Sequence, residues 1–141
     1  MTDLPADIDA KVRASFAQQS MMASLGAEIV TLEPGRVALS APVQDGFKQQ
    51  QGFAHAGVTF ALGDSAAGYA ALSVMPLEVE VMTAEIKINL LAPATGRLIA
   101  EGRVLKAGRR LVVVAADVFA ELDGTRTHIA ALQGTMVPVN L

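Results

Sequence analysis

Apolar side chains recur along this chain with two different periods. In residues 5–24 they repeat at helical spacing, which predicts an N-terminal helix. In residues 36–43 and 83–91 they recur at every second position, a pattern typical of strands with one buried face. Further strands are predicted over residues 27–32, 97–105, 111–122 and 128–137, with a hairpin turn at Asp123-Gly124.

Residues 54–75 are almost entirely apolar or small, and this length of ~20 residues could also span a membrane. Asp64 lies near the middle, where a carboxylate costs ~2.5–3.5 kcal/mol on membrane insertion. A buried helix that stops at Pro76 is therefore favoured over a membrane span. The element order is helix, two strands, long helix and four strands. It predicts an α+β fold in a single domain, residues 1–141, with a curved antiparallel sheet wrapped around the long helix.

Composition excludes several classes of function. Of 141 residues, 52% are hydrophobic and 18% charged, which argues against disorder and favours subunit contacts. A net charge of -3 provides no basic field for nucleic acid. Because there is no cysteine, disulfides and thiolate nucleophiles are excluded, and two histidines do not make a standard metal site. The acidic N-terminus does not resemble a secretory signal, so we expect a cytoplasmic protein.

Asp64 is the main candidate for chemistry. It is the only carboxylate between Asp45 and Glu78, within an otherwise uncharged helix. An ionised carboxylate in apolar surroundings requires partners, which makes Asp64 a candidate base or nucleophile. The alternative is that it caps a helix break near Gly63 or points to solvent.

His55 and Gly57 stand where the long helix is expected to begin. Free backbone N–H groups at a helix start can stabilise a developing oxyanion. The alternative is structural: the glycine permits tight packing and the histidine is a cap or a core residue.

Residues 50–58, Gln-Gln-Gly-Phe-Ala-His-Ala-Gly-Val, are followed by Leu-Gly-Asp-Ser-Ala-Ala-Gly-Tyr-Ala-Ala at residues 62–71. Together they resemble the active-site segment of hotdog-fold thioesterases of the phenylacetate (PaaI-like) type. Residues 85–93 resemble that family's central strand, and the resemblance extends from about Leu25 to the C-terminus. One departure is Ala56, which replaces the first glycine of His-Gly-Gly and keeps its N–H donor.

The resemblance implies a hotdog fold and hydrolysis of an aryl- or medium-chain acyl-CoA to the free acid and CoA. Asp64 would be the nucleophile or the general base, and the N–H of Ala56 or Gly57 would polarise the thioester carbonyl. Further residues would position water or substrate: Gln49, with Gln50 as a near alternative, and Thr83. The resemblance also implies a homodimer with active sites between subunits, often paired into a tetramer. No cofactor is expected beyond the coenzyme A of the substrate, and no metal is required.

Five of the eleven Lys and Arg residues lie between Arg97 and Arg110. They are either a solvated strand face or a patch for the phosphates of coenzyme A. Arg109 and Arg110, in a turn beside Gly108, are the best candidates for phosphate contacts.

Two other functions remain open from the sequence. A hotdog hydratase or dehydratase would place its catalytic histidine and acid differently. A non-catalytic acyl-CoA-binding protein would keep the pocket without needing Asp64.

Overall fold

The N-terminal segment forms two helices. The structure, a computed structural model, describes residues 3–141 and places α1 at Ala6–Gln18 and α2 at Ser20–Leu25. Gln19 between them is extended (φ -77°, ψ 98°), so the prediction of one helix over residues 5–24 is wrong at this position. The physical reason is tertiary: the side chain of Gln19 hydrogen-bonds to Tyr69 in the body of the protein.

Six antiparallel strands form one sheet with the order β1-β2-β4-β5-β6-β3. The Asp123-Gly124 turn between β5 and β6 has positive φ at both residues (50° and 78°), which confirms the predicted hairpin. The strands are β1 Glu28–Glu33, β2 Arg36–Pro42, β3 Glu80–Leu90, β4 Arg97–Ala107, β5 Val112–Leu122 and β6 Thr125–Val139.

β3 lies at the edge of this sheet and, among residues 3–141, pairs only with β6. The expectation of a central strand at residues 85–93 is therefore wrong within one chain. An 11-residue edge strand leaves a long row of backbone N–H and C=O groups without sheet partners.

The long apolar helix α3, Ala56–Leu72, packs against the concave side of the sheet and contacts β2, β3, β4, β5 and β6. Leu62, Ala66 and Ala70 are fully buried against it. This confirms the predicted hotdog arrangement of a curved sheet around a central helix. Within residues 3–141, no helix is long and apolar enough to cross a membrane.

Gly102 of β4 allows α3 to lie directly on the sheet. A Cβ at this position would stand 2.4 Å from the backbone carbonyl carbon and oxygen of Ala66 and 2.6 Å from the backbone nitrogen of Ala67. All three contacts are with helix backbone, which cannot rotate away as a side chain can. A side chain here would force the helix off the sheet.

We expect Gly102→Ala to destabilise the fold by about 3 kcal/mol, because overpacking of a core contact costs roughly this much. The corresponding fall in melting temperature is about 10 °C for a chain of this size. Denaturant unfolding followed by circular dichroism measures it. Gly46→Ala is the matched control, since nothing lies within 4 Å of its added Cβ. Equal stability of the two variants would contradict the proposed close contact.

Candidate active site

Asp64 and Thr83 meet beside the central helix. Asp64 is half-buried on α3, and the Thr83 hydroxyl donates a hydrogen bond to its Oδ1 at 2.7 Å. The register of β3 shifts between Thr83 and Glu85, and such a bulge re-aims the side chains of a strand. Within residues 3–141 no other donor bonds the Asp64 carboxylate, so Oδ2 is free to meet water or substrate.

A cleft of about 230 Å³ opens beside this pair. Two apolar side chains, Val81 and Met136, line it, and the Met136 sulfur lies 3.2 Å from the Thr83 hydroxyl. The rest of the lining is polar or small: Ser65, Gly68 and Tyr69 belong to the segment that carries the family resemblance, whereas the sequence did not single out Ser15, Gln19 and Glu80. Tyr69 carried a weak signal, as the chain's only tyrosine and five residues beyond Asp64. Ser15 and Gln19 carried no such signal, because both are distant from Asp64 in sequence.

The start of α3 presents one free backbone donor. His55 is the N-cap residue, and its Nδ1 accepts the N–H of Gly57 at 2.8 Å. Of the two predicted oxyanion donors, Gly57 is therefore occupied. The N–H of exposed Ala56 has no acceptor within residues 3–141. His55 orders the helix start, and Ala56 supplies the available N–H.

Gln49 shapes the loop before α3. Its side-chain carbonyl accepts the N–H groups of Gln51 at 2.6 Å and Phe53 at 3.2 Å. With Ala56, it lines a second cleft of about 380 Å³. Gln50, the near alternative, is exposed and does not line this cleft.

An ion pair holds the base of the same loop. Lys48 Nζ lies 2.8 Å from a carboxylate oxygen of Asp45. Its hydrogen bond and its positive charge lower the pKa of Asp45 below the ordinary value of 3.8. Asp45 is therefore ionised throughout the neutral range.

Within one chain these residues form two separate groups. Asp64 and Thr83 lie at one cleft, and Ala56 and Gln49 at the other. Eight residues of α-helix separate Ala56 from Asp64, a rise of about 12 Å. One thioester carbonyl is too small to contact both.

Arg109 and Arg110 are exposed in the turn between β4 and β5. Val112, just after the turn, pairs with Met136 of β6, and Met136 pairs with Thr83. Val112 is thus about 10 Å from Thr83 across two interstrand spacings, and the turn lies at the same end of the sheet as Thr83. No ion pair within residues 3–141 engages either guanidinium group.

Comparisons with known proteins agree with this architecture. Residues 51–127 match the model of a family described as the thioesterase superfamily. A thioesterase family protein from Silicibacter pomeroyi has a solved structure that is 44% identical, with a TM-score of 0.93, covering 95% of this chain and 99% of that one. A Saccharolobus solfataricus protein, described as a proposed esterase, is 34% identical over 101 residues, 71% of each chain. The E. coli PaaI protein of the phenylacetic acid degradation operon is 19% identical, with a TM-score of 0.86 over 97% of this chain and 96% of that one, and so shares the fold.

Proposed function

Because the chain belongs to the thioesterase superfamily and is a thioester hydrolase, we propose that it hydrolyses acyl-CoA with Asp64 as its reactive carboxylate. The observation that carries the proposal is the hydrogen bond from Thr83 to Asp64 Oδ1, which fixes one carboxylate oxygen and leaves the other facing a cleft. A carboxylate held in this way is oriented for attack or for proton transfer.

The reaction has two forms that this geometry supports. In one, the free oxygen of Asp64 attacks the thioester carbonyl, the C–S bond breaks, and water then cleaves the resulting anhydride. In the other, Asp64 takes a proton from water as the water oxygen attacks the same carbon, the C–S bond breaks, and the proton passes to the CoA sulfur. Both forms place negative charge on the carbonyl oxygen, which the N–H of Ala56 would stabilise. Both release the free acid and the CoA thiol.

Two subunits would complete each site. The rise of about 12 Å between Ala56 and Asp64 separates the two groups within one chain. If two α3 helices packed antiparallel around a two-fold axis, Ala56 of one subunit would lie beside Asp64 of the other, and the axis would pass near residue 60. Phe60 occupies that position and is 37% exposed, although most of α3 is buried. Two such sites would form in each homodimer.

The edge of the sheet supports the same dimer. β3 has one side without sheet partners, and its exposed apolar side chains Met82 and Leu90 are available for contact. Antiparallel pairing of two β3 strands would join the sheets of both subunits and place the helices side by side.

A pairing of dimers is also proposed. The convex face carries a shallow groove of about 520 Å³, and the small side chains Ala115 and Ala131 lie in it. A second dimer could approach closely there.

A thiol-release assay with several aryl- and medium-chain acyl-CoAs tests the proposal. We expect free CoA thiol to appear in proportion to enzyme. Tight binding without thiol release would instead indicate a non-catalytic acyl-CoA-binding protein. Hydration of crotonyl-CoA without thiol release would indicate a hydratase.

We propose that Arg109 and Arg110 contact the phosphates of coenzyme A. We expect replacement of both by alanine to raise KM for acyl-CoA about tenfold, since charge-assisted hydrogen bonds contribute roughly 1.5–3 kcal/mol each and these are solvent-exposed. A short thioester that lacks the nucleotide provides the comparison. For this substrate, KM of the double variant should equal that of the wild type. Arg126→Ala, which removes an exposed guanidinium group at the opposite end of the sheet, serves as the control variant. An equal rise for both substrates would contradict phosphate binding.

A further inference from the structure

The far end of the Asp64 cleft is formed by three hydrogen-bonded side chains from distant parts of the chain. The Tyr69 hydroxyl accepts a hydrogen bond from Gln19 Nε2 at 2.7 Å and lies 3.1 Å from the Ser15 hydroxyl. Tyr69 follows Asp64 by five residues on α3, so the cluster stands about 7.5 Å further along the helix. The extended backbone of Gln19 is what turns its side chain inward.

One hydroxyl hydrogen and one carbonyl oxygen of the cluster have no hydrogen-bond partner within residues 3–141. Ser15 and Tyr69 hold two hydroxyl hydrogens, and the single contact between them uses one. Within residues 3–141 no further acceptor engages either hydroxyl, and no donor engages the side-chain carbonyl of Gln19. All three residues line the cleft. A ligand that reached this end would therefore meet one O–H donor and one carbonyl acceptor.

The charge of the cleft is negative. Asp64 and Glu80 both line it, and no described lining residue is a lysine or an arginine. Lys11 forms an ion pair with Glu80 at 3.7 Å and also donates to the backbone carbonyls of Leu77 and Val79, so its ammonium group is already engaged and does not line the cleft. A ligand carboxylate here would meet like charges with no cation free to pair with it.

We propose that Ser15, Gln19 and Tyr69 determine acyl specificity and favour acyl groups whose far end carries a neutral hydrogen-bonding group. This inference rests on the proposed function, since it assumes that the acyl group extends from Asp64 into this cleft. A methyl terminus leaves the cluster's donor and acceptor unpaired. A carboxylate terminus is repelled by Asp64 and Glu80. A terminal hydroxyl satisfies the cluster without adding charge.

Three six-carbon substrates that differ only in their last group test the inference: hexanoyl-CoA, 6-hydroxyhexanoyl-CoA and adipyl-CoA, which end in methyl, hydroxyl and carboxylate. We expect kcat/KM to be about tenfold higher for the hydroxyl than for the methyl substrate, the value of one hydrogen bond, and lowest for the carboxylate. In Tyr69→Phe the ratio of hydroxyl to methyl should fall toward one, because Ser15 and Gln19 lose the hydroxyl that holds them in place.

Gln19→Leu provides a second test, and it should lower the same ratio because it removes the donor to Tyr69 and the side-chain carbonyl acceptor. Glu80→Gln should raise kcat/KM for adipyl-CoA about threefold relative to hexanoyl-CoA, as expected for removal of a part-exposed like charge. Glu78→Gln, an exposed change of the same charge outside the cleft, should leave that ratio as it is.

A hydroxyl preference that survives in both Tyr69→Phe and Gln19→Leu would overturn the inference, as would a wild-type preference for hexanoyl-CoA. If the wild type released no thiol from any of the three substrates, the proposed function itself would fail, and the inference with it.

Discussion

Asp64→Asn is expected to lower kcat for acyl-CoA hydrolysis by about 10³-fold or more, because an amide neither attacks the carbonyl nor accepts a proton from water. Asparagine keeps the shape of the side chain, and its carbonyl still accepts the Thr83 hydroxyl. The variant should therefore fold and bind substrate as the wild type does. Initial rates of thiol release at saturating acyl-CoA measure the effect.

Asp123→Asn is the matched control for this substitution. Asp123 is exposed in the β5–β6 turn with φ 50°, a conformation that asparagine also adopts readily. The kcat of Asp123→Asn should equal that of the wild type. If Asp64→Asn retained a tenth or more of wild-type kcat, a group other than Asp64 would have to activate the nucleophile.

Ala56→Pro is expected to lower kcat by about 10²-fold, since it removes the single N–H assigned to the oxyanion. Ala56 is the first residue of α3, a position that proline favours in helices. The preceding residue, His55, already has the extended conformation (φ -61°, ψ 140°) that proline requires of its neighbour. The substitution therefore removes one donor and leaves the helix start intact.

Ala6→Pro is a close control, because Ala6 is the exposed first residue of α1 and also follows an extended residue, Pro5 (φ -54°, ψ 139°). It should leave kcat unchanged. A kcat for Ala56→Pro equal to that of Ala6→Pro would contradict the oxyanion role.

Mixing the two inactive chains tests whether each site is shared between subunits. In a dimer of one Asp64→Asn chain and one Ala56→Pro chain, one of the two shared sites has both its intact Asp64 and its intact Ala56 N–H. Co-expressed chains that associate at random should regain about a quarter of wild-type activity, because half of the dimers are mixed and each mixed dimer has one intact site. No recovery, with mixed dimers demonstrated by differently tagged chains, would place the whole site within one subunit.

Local sequence patterns were sufficient for most of the fold. Alternating apolar positions located the strands, and the Asp123-Gly124 pair located a hairpin turn, because strand period and turn chemistry are properties of neighbouring residues. The edge position of β3 was not predictable in this way. Its alternation is that of any strand with one buried face, and the order of strands depends on contacts between distant segments.

The same division applies to the candidate site. The sequence identified Asp64 as a lone carboxylate in an apolar helix, and His55 and Gly57 at the helix start, because charge, hydropathy and helix capping are encoded locally. Gln49, Ala56 and Thr83 came from family resemblance.

Only the tertiary structure decided which of these groups meet. It joined Thr83 to Asp64, engaged Gly57 with His55 and so left Ala56 as the free donor, and brought Gln19 to Tyr69 across 50 residues of chain. The physical reason is that a hydrogen bond between distant residues depends on how helix and sheet pack, to within a fraction of an ångström. The residue pattern determines which surfaces are buried, but it does not determine how helix and sheet pack in detail.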